Sequence, residues 1–264
     1  MKTLQMGDCK VWVYGLCLAV GTCIALMLLN RRARTSWKEG TGSLFALLAV
    51  PLGFFAGRLA QAVVSQGGYL FRQDFFFNFS RGGYLLYGVM GGIALAAWLT
   101  ARLTRQPPLA LMDQIAVPGL FLIAACRFSE GVIGCGYGRS IEEWFDPMLE
   151  QNMISMEDPG FLLRFPFGIQ NYYGEWCWSV FLLEGAAALV FLGIVFRKHA
   201  PVPGGSFLLA LLLYAGAQTL FESLRADSIP RWGFVRVNQL LSGVTVMLVL
   251  LCSTLRMRRK RLPF

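Results

Sequence analysis

Hydrophobic residues along the chain gather into seven long apolar runs that shorter polar segments separate. The runs cover, to within a few residues, 11–29, 43–64, 84–101, 109–126, 176–196, 205–222 and 236–255. A bilayer core of about 30 Å is crossed by roughly 20 apolar residues in a helix. The pattern therefore predicts an all-α, polytopic membrane protein with about seven transmembrane helices.

The polar segments predict how the chain is organised around those spans. The first run lacks a small-residue cleavage site and is followed by Arg31 and Arg32, so we expect a retained span rather than a signal peptide. The longest polar segment, about 140–175, has too few periodic apolar positions to fold separately, and we expect an outer-face cap there. We therefore predict a single integral-membrane domain over residues 1–264.

Composition agrees with this class, and the charge pattern adds an orientation. The chain is 56% hydrophobic and only 15% charged, with a mean hydropathy of +0.54, which is typical of membrane proteins. By the positive-inside rule, the basic ends of alternate runs are cytoplasmic, which predicts an N-terminus outside and a cytoplasmic C-terminus. The net charge of +9 is thus a topology signal, and no nucleic-acid partner is expected. These basic ends carry Arg31, Arg32, Arg34, Lys38, Arg102, Arg105, Arg197, Lys198 and the tail 256–261.

The segment from Cys126 to Arg139 follows the fourth run and carries a dense group of polar residues. It holds two arginines, the single carboxylate Glu130 and four glycines. Arginine offers a rigid fork of donors that matches phosphate, and glycine lets a backbone approach a ligand closely. From spacing alone, two interpretations stay open: a lipid head-group site, or a turn whose arginines only extend to the interface.

Further polar residues stand near the predicted outer ends of other spans. Arg58 lies inside an apolar run, where a charge usually faces a partner or a wet cavity. Glycine pairs flank Tyr87 and favour either close helix packing or an unwound turn. In the sixth run, Gln218, Glu222 and Arg225 share one face at 3.6 residues per turn.

The residue types present exclude several common chemistries. The only histidine, His199, falls in a predicted cytoplasmic cluster, so a histidine-based triad or zinc site on the outer face is not expected. The cysteines show no CxxC or zinc-like spacing, and neither a Walker loop nor a Rossmann fingerprint is present. We expect no metal and no cofactor, and any chemistry must use tyrosine, glutamate, arginine or backbone groups.

From Arg127 to Gly134, and on through Tyr137-Gly138-Arg139, the chain resembles the signature of prolipoprotein diacylglyceryl transferases, which are bacterial inner-membrane enzymes. The resemblance extends over nearly the whole chain. It includes Tyr14-Gly15, Gly57-Arg58-Leu59, Gly82 through Gly88, Asp113 through Pro118, Glu222 through Arg225 and Asn238 through Ser242. The family pattern usually has asparagine or cysteine in place of Glu130 and arginine in place of Gln218, and its His-Pro segment before the fifth span is absent here.

The resemblance implies an enzyme that moves the diacylglyceryl group of phosphatidylglycerol onto the lipobox cysteine thiol of a preprolipoprotein, with glycerol phosphate leaving. The implied partners are phosphatidylglycerol, preprolipoprotein signal peptides and membrane lipid. The implied catalytic residues are Tyr87, Arg127, Glu130 and Glu222. The implied substrate-binding residues are Tyr14, Arg58, Gly88, Gly138, Arg139, Gln218 and Arg225, although Tyr14 also has the position of an interfacial-belt aromatic.

Within such a site the arginines, chiefly Arg127 and Arg139, neutralise the leaving phosphate. Tyr87 or Glu222 accepts the thiol proton, and Glu130 either pairs with Arg127 or is itself the base. The departures from the family pattern keep a second function open, namely a catalytically impaired member that binds lipid or a partner protein. A small-solute transporter is less favoured, because the chain lacks the two-half repeat of many transporters.

Overall fold

The computed structural model describes residues 3–6, 9–33, 37–64, 84–141, 143, 165–198, 202–226, 231–232 and 235–261. Within those ranges, seven helices are long and apolar enough to cross a membrane. They are α1 (Val13–Ala33), α2 (Thr41–Val64), α3 (Leu86–Thr104), α4 (Pro108–Ile133), α5 (Val180–Arg197), α6 (Gly205–Leu224) and α7 (Val237–Arg261). The predicted all-α polytopic architecture is confirmed. His199, Gly82, Gly83 and most of the predicted cap lie outside the described residues.

Successive spans cross the membrane in opposite directions, and this alternation brings particular helix ends together. The first residues of α1, α3, α5 and α7 lie on the same side as the last residues of α2, α4 and α6. We call this the site side. Polar residues that are far apart in sequence therefore lie close together at this end of the helix bundle.

The fourth span is longer than its hydrophobicity predicts. Helix α4 continues to Ile133 instead of ending near residue 126, so Arg127 and Glu130 stand on its last turns and not in a loop. It ends at Gly134, which adopts a left-handed conformation with φ of 76° and donates its N–H to the carbonyl of Gly131. Glycine at this position is the usual way to end a helix. The interpretation of this segment as a turn is therefore wrong up to Ile133.

Short antiparallel hairpins lie before the first span and between later spans in the described parts of the chain. They pair β1 (Thr3–Met6) with β2 (Cys9–Trp12), β3 (Gly168–Gln170) with β4 (Trp176–Trp178), and β5 (Arg231–Trp232) with β6 (Val235–Arg236). The fifth apolar run therefore begins as strand β4, and its helix starts at Val180 rather than at residue 176. The cap over 140–175 as a whole stays a prediction.

Helix α4 is the centre of the bundle. It packs against α1, α3, α5 and α6, and it is the most buried of the seven spans. Helices α1 and α7 are the least buried and lie at the periphery. The core around α4 combines small and branched side chains with one aromatic hydroxyl, in a cluster of Ala116, Val117, Leu120, Val195, Ala210 and Tyr214. The residues at the end of α4 are consequently held by several neighbours at once.

Helices α2 and α3 approach each other closely along a face of small residues. A Cβ atom at Gly88 would lie 2.5 Å from the Cβ of Ala60 and 2.7 Å from the carbonyl oxygen of Ala56. Only glycine allows that approach, which is the usual role of small residues between membrane helices. The packing interpretation of the glycines around Tyr87 thus holds for Gly88, whose predicted part in substrate binding stays untested.

The first turn of α6 is anchored by a residue distant in sequence. Asp113, near the start of α4, accepts hydrogen bonds from the backbone N–H groups of Gly204 at 2.5 Å and Phe207 at 2.9 Å. A carboxylate at a helix N-terminus satisfies orphan donors and complements the helix dipole. This contact fixes α6, the helix that leads to Arg225, against α4.

Candidate functional site

Two arginines and two glutamates from three parts of the chain form a closed ion cluster on the site side. Arg127 Nη1 lies 2.7 Å from Glu130 Oε1, and Arg127 Nε lies 2.5 Å from Glu184 Oε2. Arg225 reaches the same two carboxylates at 3.2 Å each, Nη2 to Glu130 Oε2 and Nη1 to Glu184 Oε2. We call Arg127, Glu130, Glu184 and Arg225 the four-residue cluster.

The four members differ in exposure, which gives the cluster an inner and an outer side. The side chain of Glu184 is fully buried, whereas that of Glu130 is 18% exposed. Burying charges is costly unless each is paired, and here each carboxylate contacts both guanidinium groups. Glu184 therefore holds the two arginines from inside, and Glu130 bridges them on the side nearer to solvent.

A second ion pair continues the cluster along α6. Arg236, at the end of β6, lies 3.8 Å from Glu222 through Nη1 and Oε1, and its Nη2 donates to the backbone oxygen of Arg225 at 2.5 Å. Gln218 donates to the other oxygen of Glu222 at 3.1 Å. The predicted shared face therefore extends over Gln218 and Glu222. It does not include Arg225, because α6 ends at Leu224 and Arg225 has extended backbone.

Three tyrosines border these charged groups. Arg127 Nη2 donates to the hydroxyl of Tyr214 at 3.5 Å. Tyr87 lies within electrostatic range of Glu222 and Arg127, and Tyr14 lies within range of Arg127 and Glu130. The structure thus brings the predicted residues Tyr14 and Tyr87 into the same region as Arg127.

The hydroxyl of Tyr87 has a defined hydrogen-bond direction. It lies 2.6 Å from the hydroxyl oxygen of Ser242, and Ser242 donates its own proton to the carbonyl of Asn238 at 2.7 Å. Because the single hydroxyl proton of Ser242 is used there, Tyr87 is the donor in the bond between the two hydroxyls. The hydroxyl oxygen of Tyr87 can therefore still accept a hydrogen bond from another group.

A clamp of backbone hydrogen bonds sets the distance between the two arginines. The segment 137–139 lies between Trp178 and the end of α6: Gly138 N–H donates to Trp178 O at 2.7 Å, and Arg139 N–H donates to Leu224 O at 2.8 Å. Ala226 N–H completes the clamp by donating to Tyr137 O at 3.2 Å. Arg225 is thereby held against the end of α4, which carries Arg127.

The last two residues of the signature contribute to this clamp through their backbone. A Cβ atom at Gly138 would lie 2.5 Å from the Cβ of Trp178 and 2.8 Å from the carbonyl oxygen of Leu224, so the close approach requires glycine. The side chain of Arg139 is exposed. The structure therefore places Arg225 beside Arg127 and leaves the side chain of Arg139 at the surface.

Arg58 has a different environment. It is only 1% exposed, on α2, and its guanidinium group lies 5.1 Å from the ring centre of Tyr84. Burial raises the pKa of the Tyr84 hydroxyl, and the positive charge of Arg58 partly opposes that rise. The expectation that Arg58 faces a partner rather than extending to the interface agrees with this contact. The closed ring of contacts in the four-residue cluster does not include Arg58.

Three residues of this region escaped the sequence prediction. Glu184 is a carboxylate inside the fifth apolar run, and the cost of a charge within a span is a signal that identifies such a residue. Arg236, at the start of the seventh run, carries the same signal. Tyr214 carries none, because an aromatic residue in the middle of an apolar helix usually packs in the core.

A seven-span bundle with arginine–glutamate pairs at the mouth of its helices defines an integral-membrane protein with a polar site at one membrane boundary. A family model described as prolipoprotein diacylglyceryl transferase matches residues 2–255. The chain therefore belongs to the prolipoprotein diacylglyceryl transferase family, and the resemblance found in its motifs is confirmed.

Individual relatives agree at modest identity and over most of their length. The chain is 28% identical over 250 residues to a phosphatidylglycerol–prolipoprotein diacylglyceryl transferase of Lactobacillus gasseri, covering 90% of this chain and 84% of the relative. It is 26% identical over 260 residues to the protein of the same name from Symbiobacterium thermophilum, covering 97% and 92%. The corresponding protein of Clostridioides difficile is 24% identical over 244 residues, covering 88% and 86%.

Proposed function

We propose that this protein transfers the diacylglyceryl group of phosphatidylglycerol to the lipobox cysteine thiol of preprolipoproteins, at the outer face of a bacterial inner membrane. Its family and the names of its relatives support the reaction. The observation that carries the proposal is the meeting of Arg127 and Arg225, from α4 and from the end of α6, in one buried cluster. Two guanidinium groups at a membrane boundary suit a lipid phosphate.

The reaction exchanges one bond to carbon for another. The cysteine sulfur forms a bond to the carbon of the diacylglyceryl group that carries the phosphate. The bond between this carbon and the phosphate oxygen breaks. Glycerol phosphate leaves with the bonding electron pair, and a base receives the thiol proton. Arg127 and Arg225 stabilise the charge that develops on the leaving phosphate.

A base is needed because a cysteine thiol, with a pKa of about 8.5, is mostly protonated near neutral pH. Glu222 is the favoured acceptor, since its contact with Arg236 is 3.8 Å long and its other oxygen bonds to the neutral amide of Gln218. Glu130 and Glu184, by contrast, each contact two arginines. In this scheme Tyr87, which donates to Ser242, orients the reactants rather than accepting the proton.

The second function, a lipid-binding protein without turnover, also has a specific observation in its favour. Among the described residues of the site, three arginines face three glutamates, so the formal charge is zero. A neutral cluster stabilises a leaving phosphate less than a cationic one does. Binding of phosphatidylglycerol without transfer to any lipobox substrate would support this second function.

Complementation separates the two functions. The protein is expressed in cells depleted of their own transferase, and transfer to a lipobox substrate is followed by its shift in mass. We expect transfer with the native chain, loss of at least 100-fold with Arg127→Ala, and less than a threefold change with Arg139→Ala, whose side chain is exposed. Absence of transfer by correctly inserted native protein would refute the enzymatic proposal.

A further inference from the structure

We propose that the carboxylate of Glu130 occupies the position of the lipid phosphate between Arg127 and Arg225, so that Glu130 sets the affinity of the site for anionic head groups. This inference rests on the proposed function, because it concerns the same site and substrate. In this view an anionic lipid binds only by displacing the carboxylate.

The geometry of Glu130 is that of an anion bridging two cations. Its Oε1 lies 2.7 Å from Arg127 Nη1, and its Oε2 lies 3.2 Å from Arg225 Nη2. One carboxylate thus uses one oxygen on each guanidinium group. Two oxygens of a phosphodiester can make the same pair of contacts, since the arginine fork matches carboxylate and phosphate alike.

Exposure distinguishes Glu130 from the other carboxylate of the cluster. Glu184 is fully buried and contacts both arginines from the inner side, so it remains in place. Glu130 is 18% exposed, the highest value in the four-residue cluster, and a lipid head group reaches its side first. Glu130 is therefore the member of the cluster that an incoming anion displaces.

Charge balance supports the exchange. With Glu130 in place, the four-residue cluster contains two cations and two anions. With Glu130 displaced, the other three members of the four-residue cluster, Arg127, Arg225 and Glu184, sum to one net positive charge. A phosphodiester brings one negative charge, so its binding restores neutrality without further rearrangement.

The local backbone lowers the cost of moving Glu130. The residue stands four positions before Gly134, at the C-terminal end of α4, where the helix dipole disfavours a carboxylate. Gly136 lies beside it: a Cβ atom there would be 2.8 Å from Glu130 Oε2. Gly136 therefore packs directly against the carboxylate, an approach that glycine allows, and the helix dipole is the feature that favours displacement of Glu130.

The test compares two lipids on the full-length protein in detergent. Dioctanoyl phosphatidylglycerol carries the phosphate, and dioctanoylglycerol lacks it. We expect Glu130→Gln, which keeps the size of the side chain and removes its charge, to bind phosphatidylglycerol at least tenfold more tightly and dioctanoylglycerol within twofold of the native protein. Glu143→Gln, at an exposed carboxylate, is the matched control and should leave both affinities within twofold.

Each other outcome counts against the proposal. Unchanged or weaker binding of phosphatidylglycerol by Glu130→Gln would mean that Glu130 only holds the arginines in place. Tighter binding of both lipids would mean that the substitution made the site more accessible to any lipid, with or without a phosphate. Should Glu130→Gln fail to fold, Glu130→Asp decides: its shorter carboxylate cannot bridge both arginines, and a gain of at least threefold for phosphatidylglycerol supports the proposal, whereas no gain refutes it.

Transfer activity is measured in parallel and keeps the two proposals separate. If no variant transfers lipid, the enzymatic proposal fails while the binding comparison still judges the role of Glu130. If the native protein transfers lipid but Glu130→Gln gains no affinity, only the proposal about Glu130 fails.

Discussion

Replacing Glu184 by leucine is the most direct test of how the site is held together. The substitution removes a fully buried carboxylate that lies 2.5 Å from Arg127 and 3.2 Å from Arg225. Removing one partner of a buried ion pair leaves an uncompensated charge, at a cost of about 3–5 kcal/mol. Since each kcal/mol shifts the midpoint of a domain of this size by about 2–4 °C, we expect the thermal midpoint to fall by about 6–20 °C.

Thermal unfolding of the detergent-solubilised protein, followed by tryptophan fluorescence at a fixed scan rate, measures this change. Glu143→Gln, at an exposed position, is the control and should shift the midpoint by less than about 2 °C. The double variant Glu184→Leu/Arg225→Leu should recover at least half of the loss, because Arg127 and Glu130 then still pair with each other. A Glu184→Leu midpoint within about 3 °C of the native value would refute the reasoning.

Two further predictions concern the segments around the cluster. Gly138→Ala would bring a Cβ atom to 2.5 Å from the Cβ of Trp178. We therefore expect stability to fall by about 1–3 kcal/mol and transfer activity to fall at least tenfold. Gly243→Ala, at a glycine with open space around it, is the control and should change neither. Burial and the nearby charge of Glu175 raise the pKa of the Cys177 thiol, so N-ethylmaleimide should label it at least tenfold more slowly than the exposed Cys135 at pH 7.

Both predictions have clear contrary outcomes. Native stability and activity in Gly138→Ala would show that the backbone clamp is not needed to place Arg225. For Cys177, the thiolate population grows as the pH approaches its raised pKa, so the labelling rate should rise steadily from pH 7 to pH 9. Peptide mass spectrometry reports each cysteine separately, and equal rates for Cys135 and Cys177 at pH 7 would contradict the buried environment.

Part of the candidate site could be predicted from the local pattern of the sequence. Arg127, Glu222 and Arg225 were identified because charges in or beside apolar spans are costly, and because they stand in recognisable motifs. The backbone hydrogen bonds of Gly138 and Arg139 could not be predicted in this way. These bonds to Trp178 and Leu224 depend on tertiary contacts that residue types do not indicate. The prediction that the side chain of Arg139 binds phosphate stays untested.

The end of α4 shows why boundaries were less well predicted than spans. Hydropathy falls at Cys126 because Arg127 and Glu130 are charged, and the apolar run therefore stops there. The helix continues to Ile133 because those charges are neutralised by Glu184 and Arg225, which come from elsewhere in the chain. Hydropathy treats every charge as unpaired, so it ends the span too early.

The sequence alone determined the seven spans and the membrane class, because the free energy of moving apolar residues into a bilayer is nearly a sum over neighbouring residues. It also determined the family, through motifs that are local in the chain. Only the tertiary structure decided which charges meet. Arg127, Glu184 and Arg225 are separated by tens of residues, and Arg236 lies a further 11 residues along the chain. Their partners are fixed by helix packing and by the backbone clamp at Gly138. Electrostatic pairing depends on distance in space, and no local pattern carries that distance.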